Sequence, residues 1–204
     1  MTATIEVLLF DLGGVLVEVT GVSAIQDWTS VQSSPASIWE KWLVSPAVRA
    51  FETGRIDADQ FARQLIREMS LPVTSHEFLA SFSAWPRGLF PGARELLNRI
   101  PSGYTLAAFS NSNVIHWPRV IKDMGLGEMF GHVFASHLIG KIKPDLEAFE
   151  HVLNELACDP ARVLYVDDNL LNVDAARRLG MQAMETKGID AVRQVLKDYE
   201  IFRN

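Results

Sequence analysis

Short runs of almost uninterrupted apolar residues are the feature that most constrains how this chain can fold. The clearest runs are IEVLLF (5–10), YTLAAF (104–109) and RVLYV (162–166), and shorter candidates lie at 132–136 and 181–185. A strand of this composition is buried on both faces. Such strands are typical of a parallel sheet that carries helices on both sides.

Helical patterns separate these strands along the chain. They cover 93–100, 145–157, 172–180 and 190–199. Strand alternating with helix favours right-handed crossover connections between parallel strands. The sequence therefore predicts an α/β fold with a doubly wound, Rossmann-like parallel sheet.

One long region breaks this alternation and predicts a helical insert. Its amphipathic segments lie at 37–44, 57–69 and 75–85, and it contains the tryptophans at 28, 39, 42 and 85. Asp57 is placed to cap the second segment, and the tryptophans are expected to pack the core of the insert. We expect an α/β core formed by 1–17 and 88–204 and a helical cap formed by 18–87.

Composition and charge narrow the class of protein further. The net charge of −6 argues against nucleic acid or an anionic membrane as partner, since both need a basic face. No apolar run reaches the ~18 residues of a membrane span. The N-terminal residues lack the basic region of a signal peptide, and Cys158 is the single cysteine. These features predict a cytoplasmic protein without disulfides.

Polar side chains collect where the predicted strands end. They are Asp11 after the first run, Ser110 and Asn111 after the second, Lys143 with nearby Lys141 after the run at 132–136, and Asp167, Asp168, Asn169 and Asn172 after RVLYV. Ligands of open parallel sheets bind beyond the carboxyl ends of the strands. We therefore expect these side chains to form one site.

The residue types at these strand ends point to a particular chemistry. Three carboxylates repel one another unless a cation lies among them. Because the strand ends carry neither cysteine nor histidine, the ligands are hard oxygens, which favour Mg²⁺. Serine, asparagine and lysine suit the remaining oxygens of a phosphate group. An aspartate facing that phosphorus can attack it and form an aspartyl-phosphate.

The motifs FDLGGVLV, SNSN, KIKPD and VLYVDDNLLNVDAARRLGM resemble the four motifs of the haloacid dehalogenase superfamily of phosphohydrolases. They occur in the order of that family and span the chain. FETGRIDADQF resembles part of its helical C1 cap. The sequence is most similar to the branch that contains the phosphatase domain of soluble epoxide hydrolases and bacterial sugar-phosphate phosphatases, including an α-glucose-1-phosphatase.

This resemblance implies a role for each strand-end residue. Asp11 would be the nucleophile and a Mg²⁺ ligand, and Lys143 would neutralise Asp11 and the transferring phosphoryl group. Lys141 would take no part. Ser110 and the Asn111 backbone would bind the phosphate. The Gly13 carbonyl and Asp168 would bind Mg²⁺, and Asp167 would bind it directly or through water. Asn172 would support the acidic loop.

An insert of about 70 residues that closes as a lid suits a small phosphate monoester. The expected substrate is therefore a small phosphorylated metabolite, with a sugar phosphate as one candidate.

Gly13 departs from the family pattern. The family has a second aspartate there, which protonates the leaving group and later activates water. An active phosphatase with a substitute donor, a phosphate-binding module with little activity, and a 2-haloacid dehalogenase all remain open, and we favour the first. The intact Asp167–Asp168 pair argues against a dehalogenase.

Three residues could face the site besides the strand-end set. His116 closely follows SNSN and is a candidate substitute acid, although a structural role is favoured. Glu52 and Arg55 could face the cleft between cap and core, but a solvated helix face is the favoured interpretation for both.

Overall fold

We analysed a computed structural model, which describes residues 4–21, 23–26, 28 and 34–202. Parts of the predicted core and cap, at 1–3, 22, 27, 29–33 and 203–204, lie outside the described residues. The strands are β1 (Val7–Phe10), β2 (Val17–Val19), β3 (Pro86–Leu89), β4 (Thr105–Ser110), β5 (His132–Ala135), β6 (Val163–Asp167) and β7 (Gln182–Glu185).

Five of these strands form a parallel sheet in the order β5-β4-β1-β6-β7. The chain moves outward from β1 through β4 to β5 and then returns to the other side of β1 for β6 and β7. The direction of winding therefore reverses at β1 and β6, which is where an open α/β sheet offers a crevice for ligands. The predicted doubly wound α/β fold is confirmed.

Helices cover both faces of this sheet. The α-helices are α1 (Ser23–Gln26), α2 (Pro35–Val44), α3 (Pro46–Glu52), α4 (Ala58–Met69), α5 (Ser75–Ser83), α6 (Ala93–Asn98), α7 (Ser136–Ile139), α8 (Leu146–Leu156), α9 (Leu170–Arg178) and α10 (Gly188–Asp198). A π-helical turn at Arg119–Asp123 and 3-10 turns at Leu126–Glu128 and Pro160–Arg162 complete the described set. No helix in the described part of the chain is long and apolar enough to cross a membrane.

The two faces of β1 explain why its sequence is continuously apolar. Leu8 and Phe10 pack into the apolar cluster that contains residues of α6 and α10. Val7 and Leu9 point the other way, into the cluster that contains residues of α8 and α9. Because successive residues of a strand alternate between faces, a strand covered on both sides needs apolar residues throughout.

Helices α1 to α5 lie between β2 and β3 and share a separate apolar cluster. Phe51 and Phe61 stack within it, with ring centroids 4.3 Å apart. Asp57 caps α4 as predicted: its carboxylate accepts from the Gln60 backbone, and the Gln60 side chain accepts from the Asp57 backbone. The boundaries of core and cap at 17/18 and 87/88 stay a prediction.

A two-stranded antiparallel ribbon joins this helical region to the sheet. It pairs β2 with β3, so a strand begins at Pro86, inside the range expected to lack one. The apolar pattern missed this ribbon because it is short and half-exposed, with Val19 43% exposed.

Candidate active site

Sheet register brings the acidic residues together. Phe10 pairs with Val166 in parallel register, so Asp11 and Asp167 leave neighbouring strands side by side. One oxygen from each of Asp11, Asp167 and Asp168 lies within 4.8 Å of the others. Burial, partly offset by Lys143, raises the pKa of Asp11 above its ordinary value, and the two neighbouring carboxylates raise it further.

Lys143 reaches this carboxylate cluster from the loop before α8. Its ammonium lies 2.8 Å from Asp11 Oδ1 and 2.7 Å from Asp167 Oδ2, and it also contacts the Phe109 carbonyl and the Tyr165 hydroxyl at 2.9 and 3.1 Å. Burial disfavours the charged amine, but the charges and hydrogen bonds of the two carboxylates outweigh it. The pKa of Lys143 is therefore raised above its ordinary value, and its charge is retained.

Asp167 is fully buried, and its carboxylate is occupied by hydrogen bonds. Oδ1 accepts from the Asn169 backbone at 2.8 Å and from Asn172 Nδ2 at 3.1 Å. Oδ2 accepts from Lys143, from the Tyr165 hydroxyl and from Asn172 Nδ2. With both oxygens engaged, Asp167 is better placed to orient Lys143 than to bind a metal ion directly.

Asp168 lies beside the backbone of Gly14. Burial, with the Asp167 charge as the next contribution, raises the pKa of Asp168 to about 6. Gly14 has φ +75°, and a Cβ placed on it would lie 2.6 Å from Asp168 Cγ. The second glycine of FDLGGVLV therefore allows both the turn and the close approach of the carboxylate.

Gly14→Ala is expected to raise the Mg²⁺ concentration needed for half-maximal activity roughly 10- to 100-fold, a range typical of disturbed ligand support. The added methyl group would force Asp168 out of its present position. Titration of activity against Mg²⁺ measures the effect.

Gly140→Ala is the matched control for this substitution. Gly140 has φ +70°, but a Cβ added there would meet no atom of a described residue within 4 Å beyond its chain neighbours. Both variants carry a left-handed backbone penalty of about 1–2 kcal/mol, and only Gly14→Ala displaces the carboxylate. Equal Mg²⁺ requirements in the two variants would contradict this role of Gly14.

The predicted phosphate-binding residues lie at the end of β4. The Asn111 side chain makes two hydrogen bonds to the Lys143 backbone, at 2.9 and 3.0 Å, and so holds the lysine loop. The Ser110 hydroxyl contacts only the Asn111 carbonyl, at 3.3 Å, among the described residues. Ser110 therefore retains a hydroxyl for a ligand, whereas the Asn111 side chain is committed to the loop.

A cavity of about 750 Å³ opens over these residues. Asp11, Gly13, Ser110, Asn111, Lys143, Asp168 and Asn172 line it, so it gathers the predicted site residues except the buried Asp167. Lys141 is absent from its lining and pairs with Glu147, 3.1 Å away, near the surface. Proximity to Asp11 thus distinguishes Lys143 from Lys141.

The candidates outside the strand-end set have different surroundings. Glu52 is half-buried and lines the cavity, so the favoured interpretation of a solvated helix face was wrong for it. Arg55 is exposed and does not belong to the cavity lining. Tyr165 was not predicted as a site residue because it lies within an apolar strand, where its hydroxyl contact with Asp167 leaves no local signal.

The donor set suits Mg²⁺. The oxygens of Asp11 and Asp168 and the Gly13 carbonyl are hard ligands, and a small cation among the carboxylates would relieve the repulsion that adds to burial in raising the pKa of Asp168. No cysteine or histidine belongs to the described acidic cluster.

Comparisons with known proteins agree with this architecture. The family model of haloacid dehalogenase-like hydrolases matches residues 5–180. A sesquiterpene phosphatase of Aspergillus oryzae is 32% identical over 89% of each chain. A D-ribitol-5-phosphate phosphatase of Bacteroides thetaiotaomicron is 24% identical over 94% of this chain and 97% of its own.

Solved structures share the fold. A HAD family enzyme of B. thetaiotaomicron, in complex with magnesium and inorganic phosphate, superposes with a TM-score of 0.72 at 25% identity, covering 90% of this chain and 94% of that one. A HAD-like hydrolase of Porphyromonas gingivalis gives a TM-score of 0.76 at 23% identity, covering 96% and 99%. The α/β fold and the acidic site at its strand ends together identify the class of hydrolases to which this protein belongs. The chain belongs to the haloacid dehalogenase-like hydrolases.

Proposed function

We propose that this protein is a Mg²⁺-dependent phosphatase that hydrolyses a small phosphate monoester through an aspartyl-phosphate on Asp11. The observation that carries the proposal is the environment of Asp11. Lys143 holds Oδ1, while Oδ2 accepts no hydrogen bond from the described residues and belongs to a side chain that lines the cavity. An oriented carboxylate with one free oxygen beside a fixed cation is suited to attack phosphorus.

Phosphate-ester hydrolysis has support that is independent of the site geometry. Hydrolysis of phosphate esters with Mg²⁺ is the activity expected from the sequence, and family membership together with the phosphatases among the relatives confirms it. The kind of ester, the role of each residue and the efficiency of turnover are proposed.

Each proposed role follows from a contact. Lys143 offsets negative charge on Asp11 and on the incoming phosphoryl group, and the Ser110 hydroxyl binds a phosphate oxygen. Asp168 and the Gly13 carbonyl would hold Mg²⁺, which stabilises charge on the phosphoryl oxygens when bound. Asp167 orients Lys143, and Asn172 fixes Asp167 through two hydrogen bonds.

The second candidate function is a phosphate-binding module with little turnover, favoured by the missing side chain at Gly13. A dehalogenase is disfavoured because both Asp167 and Asp168 are present in the cluster. The binding module and the phosphatase differ in one observable, the release of phosphate in the presence of Mg²⁺.

Apolar side chains form a large part of the cavity wall. They are Val19, Trp39, Trp42, Leu43, Phe82, Trp85 and Phe90. Trp39 and Leu43 are 42% and 43% exposed, so these two do not pack wholly within the helical region as a core residue would. Exposed apolar groups around a polar centre mark a surface for an apolar ligand.

This wall favours an ester whose alcohol part is a hydrocarbon over the sugar phosphate expected from the sequence. A sugar presents hydroxyl groups, which an apolar wall leaves without hydrogen-bond partners. The 32% identity to a sesquiterpene phosphatase supports the same preference.

Phosphate release from a terpenyl monophosphate, glucose 1-phosphate and an aryl phosphate, with Mg²⁺ and with EDTA, tests the function and the ester class together. We expect Mg²⁺-dependent release, fastest from the terpenyl ester. Faster release from glucose 1-phosphate would reject the apolar substrate. No release from any ester would favour the binding module.

Leu43→Ser is expected to lower kcat/KM for the terpenyl phosphate about 3- to 10-fold, because it removes part of the apolar contact area. Val44→Ser is the matched control, since Val44 is adjacent on α2, 78% exposed and outside the cavity lining. An equal decrease in both variants would show that Leu43 has no specific role in binding.

A further inference from the structure

We propose that Glu52 supplies the proton transfers for which Gly13 has no side chain. Resting on the proposed phosphatase function, Glu52 would act as general acid when the alcohol leaves and as general base when water attacks. The proposal follows from its position on α3 in the lining of the cavity that also contains Asp11, and from the absence of another suitable donor among the described cavity residues.

Residues on both sides of Glu52 lie against the core. Three residues before it, Arg49 forms an ion pair with Asp145, which precedes α8. Two residues after it, Gly54 has φ +70° and lies so close to the His137 carbonyl oxygen that a Cβ would be 2.6 Å away. Glu52 thus lines the same cavity as Asp11 from a segment that contacts the core on either side.

The surroundings of Glu52 favour its protonated form. No hydrogen bond or ion pair from a described residue reaches its carboxyl group, and the C-terminal end of a helix disfavours negative charge. Burial raises the pKa of Glu52 to about 8, since the raising effect of burial and of the Asp11 charge exceeds the lowering effect of Lys143. At neutral pH the carboxyl group therefore carries a proton that it can donate.

His116 is the other candidate acid and does not fit this role. Its Nε2 lies 2.6 Å from the Phe82 carbonyl, to which it donates, and Nδ1 then accepts from Asn113 Nδ2 at 3.2 Å. Burial lowers the pKa of His116 to about 4 despite the Phe82 hydrogen bond. The ring is neutral with both nitrogens engaged, so its role is structural, as favoured from the sequence.

The remaining charged groups of the cavity either have other partners or are unsuited to the role of proton donor. Lys143 shares its protons among four acceptors, and Arg49 pairs with Asp145. Lys187 is exposed, and Asp168 is a proposed Mg²⁺ ligand. Glu52 is the carboxyl group of the described lining that has no such commitment.

The proposed steps balance as follows. Asp11 attacks phosphorus, the phosphorus–alkoxy bond breaks with its electron pair on oxygen, and the Glu52 proton moves to that oxygen and releases the alcohol. The Glu52 carboxylate then takes a proton from water as the water oxygen attacks the phosphoryl group. The bond between phosphorus and Asp11 breaks, and inorganic phosphate leaves with Glu52 protonated again.

Glu52→Gln separates this role from binding because the amide keeps the shape but cannot donate a carboxylic proton. With an alkyl phosphate, whose alkoxide needs a proton, we expect turnover to fall roughly 10²- to 10⁴-fold. With 4-nitrophenyl phosphate, whose leaving group needs none, we expect a burst of about one nitrophenolate per enzyme, since loss of the base slows only the later water attack. Rapid-mixing kinetics records the burst, and mass spectrometry detects the retained phosphoryl group.

Glu40→Gln is the matched control, because Glu40 is an exposed carboxylate on α2 outside the cavity lining. It is expected to match wild type with both esters. Equal loss with both esters and no burst in Glu52→Gln, or unchanged rates, would overturn the proposal. Absence of Asp11-dependent phosphate release in wild type would instead overturn the proposed function and this inference with it.

Glu52→Ala with added formate provides a second measurement. A small carboxylic acid entering the vacated space is expected to restore alkyl phosphate turnover, and formate should not accelerate wild type. If Glu52→Ala keeps wild-type thermal stability and formate restores nothing, a role in proton transfer is contradicted.

Discussion

Asp11→Asn is expected to reduce Mg²⁺-dependent phosphate release by roughly 10⁴-fold or more, the scale seen when an enzyme loses its nucleophile. Asparagine keeps the size of the side chain, and the backbone bond from residue 11 to the Val166 carbonyl, 2.9 Å in the structure, does not depend on the carboxylate. Folding should survive while the attacking oxygen is lost.

Two measurements check this expectation. Phosphate release gives the rate, and mass spectrometry after rapid quenching detects a phosphoryl group on wild type and none on the variant. Asp174→Asn is the control, since Asp174 is an exposed residue paired with Arg177 on α9. Retention of wild-type activity by Asp11→Asn would refute the aspartyl-phosphate mechanism.

Lys143→Met is expected to abolish most activity and to lower the free energy of unfolding by about 3–5 kcal/mol, the usual result of removing one member of a buried ion pair. The Lys143 side chain is 1% exposed and its ammonium lies between Asp11 and Asp167, so its loss leaves two buried carboxylates without their shared cation. Methionine fills similar space, which limits the contribution of a cavity.

Lys141→Met is the matched control for this second prediction. Lys141 lies two residues away and pairs with Glu147 near the surface, a kind of contact worth about 0–1 kcal/mol. Chemical denaturation measures the stability of both variants, and phosphate release measures activity. Similar losses in the two variants would contradict the assignment of Lys143 to the site.

Much of the α/β core was predictable because its signal is local. β1 must be apolar on both faces, so its composition alone indicated a buried parallel strand. The ribbon of β2 and β3 was not predicted, since its residues are few and half-exposed. Its pairing joins Val17 with Leu89, residues that no local pattern relates.

The acidic site was predictable to the extent that it follows the strand ends. Asp11 comes directly after β1, and Asp167 is the last residue of β6. Parallel pairing of these neighbouring strands brings the two residues together. The role of Glu52 could not be predicted, because it depends on how α3 lies against the core through Arg49 and Gly54.

The sequence by itself determined the order of strands and helices and the placement of carboxylates at the strand ends, since alternation, burial and termination are encoded over a few residues. The family resemblance had already assigned Lys143 rather than Lys141 to the site, but the tertiary structure decided how that lysine contacts Asp11 and which carboxylate lacks a partner. Lys143 and Asp11 are 132 residues apart in the chain, and only folding establishes their 2.8 Å contact. Protonation follows from the same packing, because burial raises the pKa of Glu52 to about 8 despite the opposing charge of Lys143.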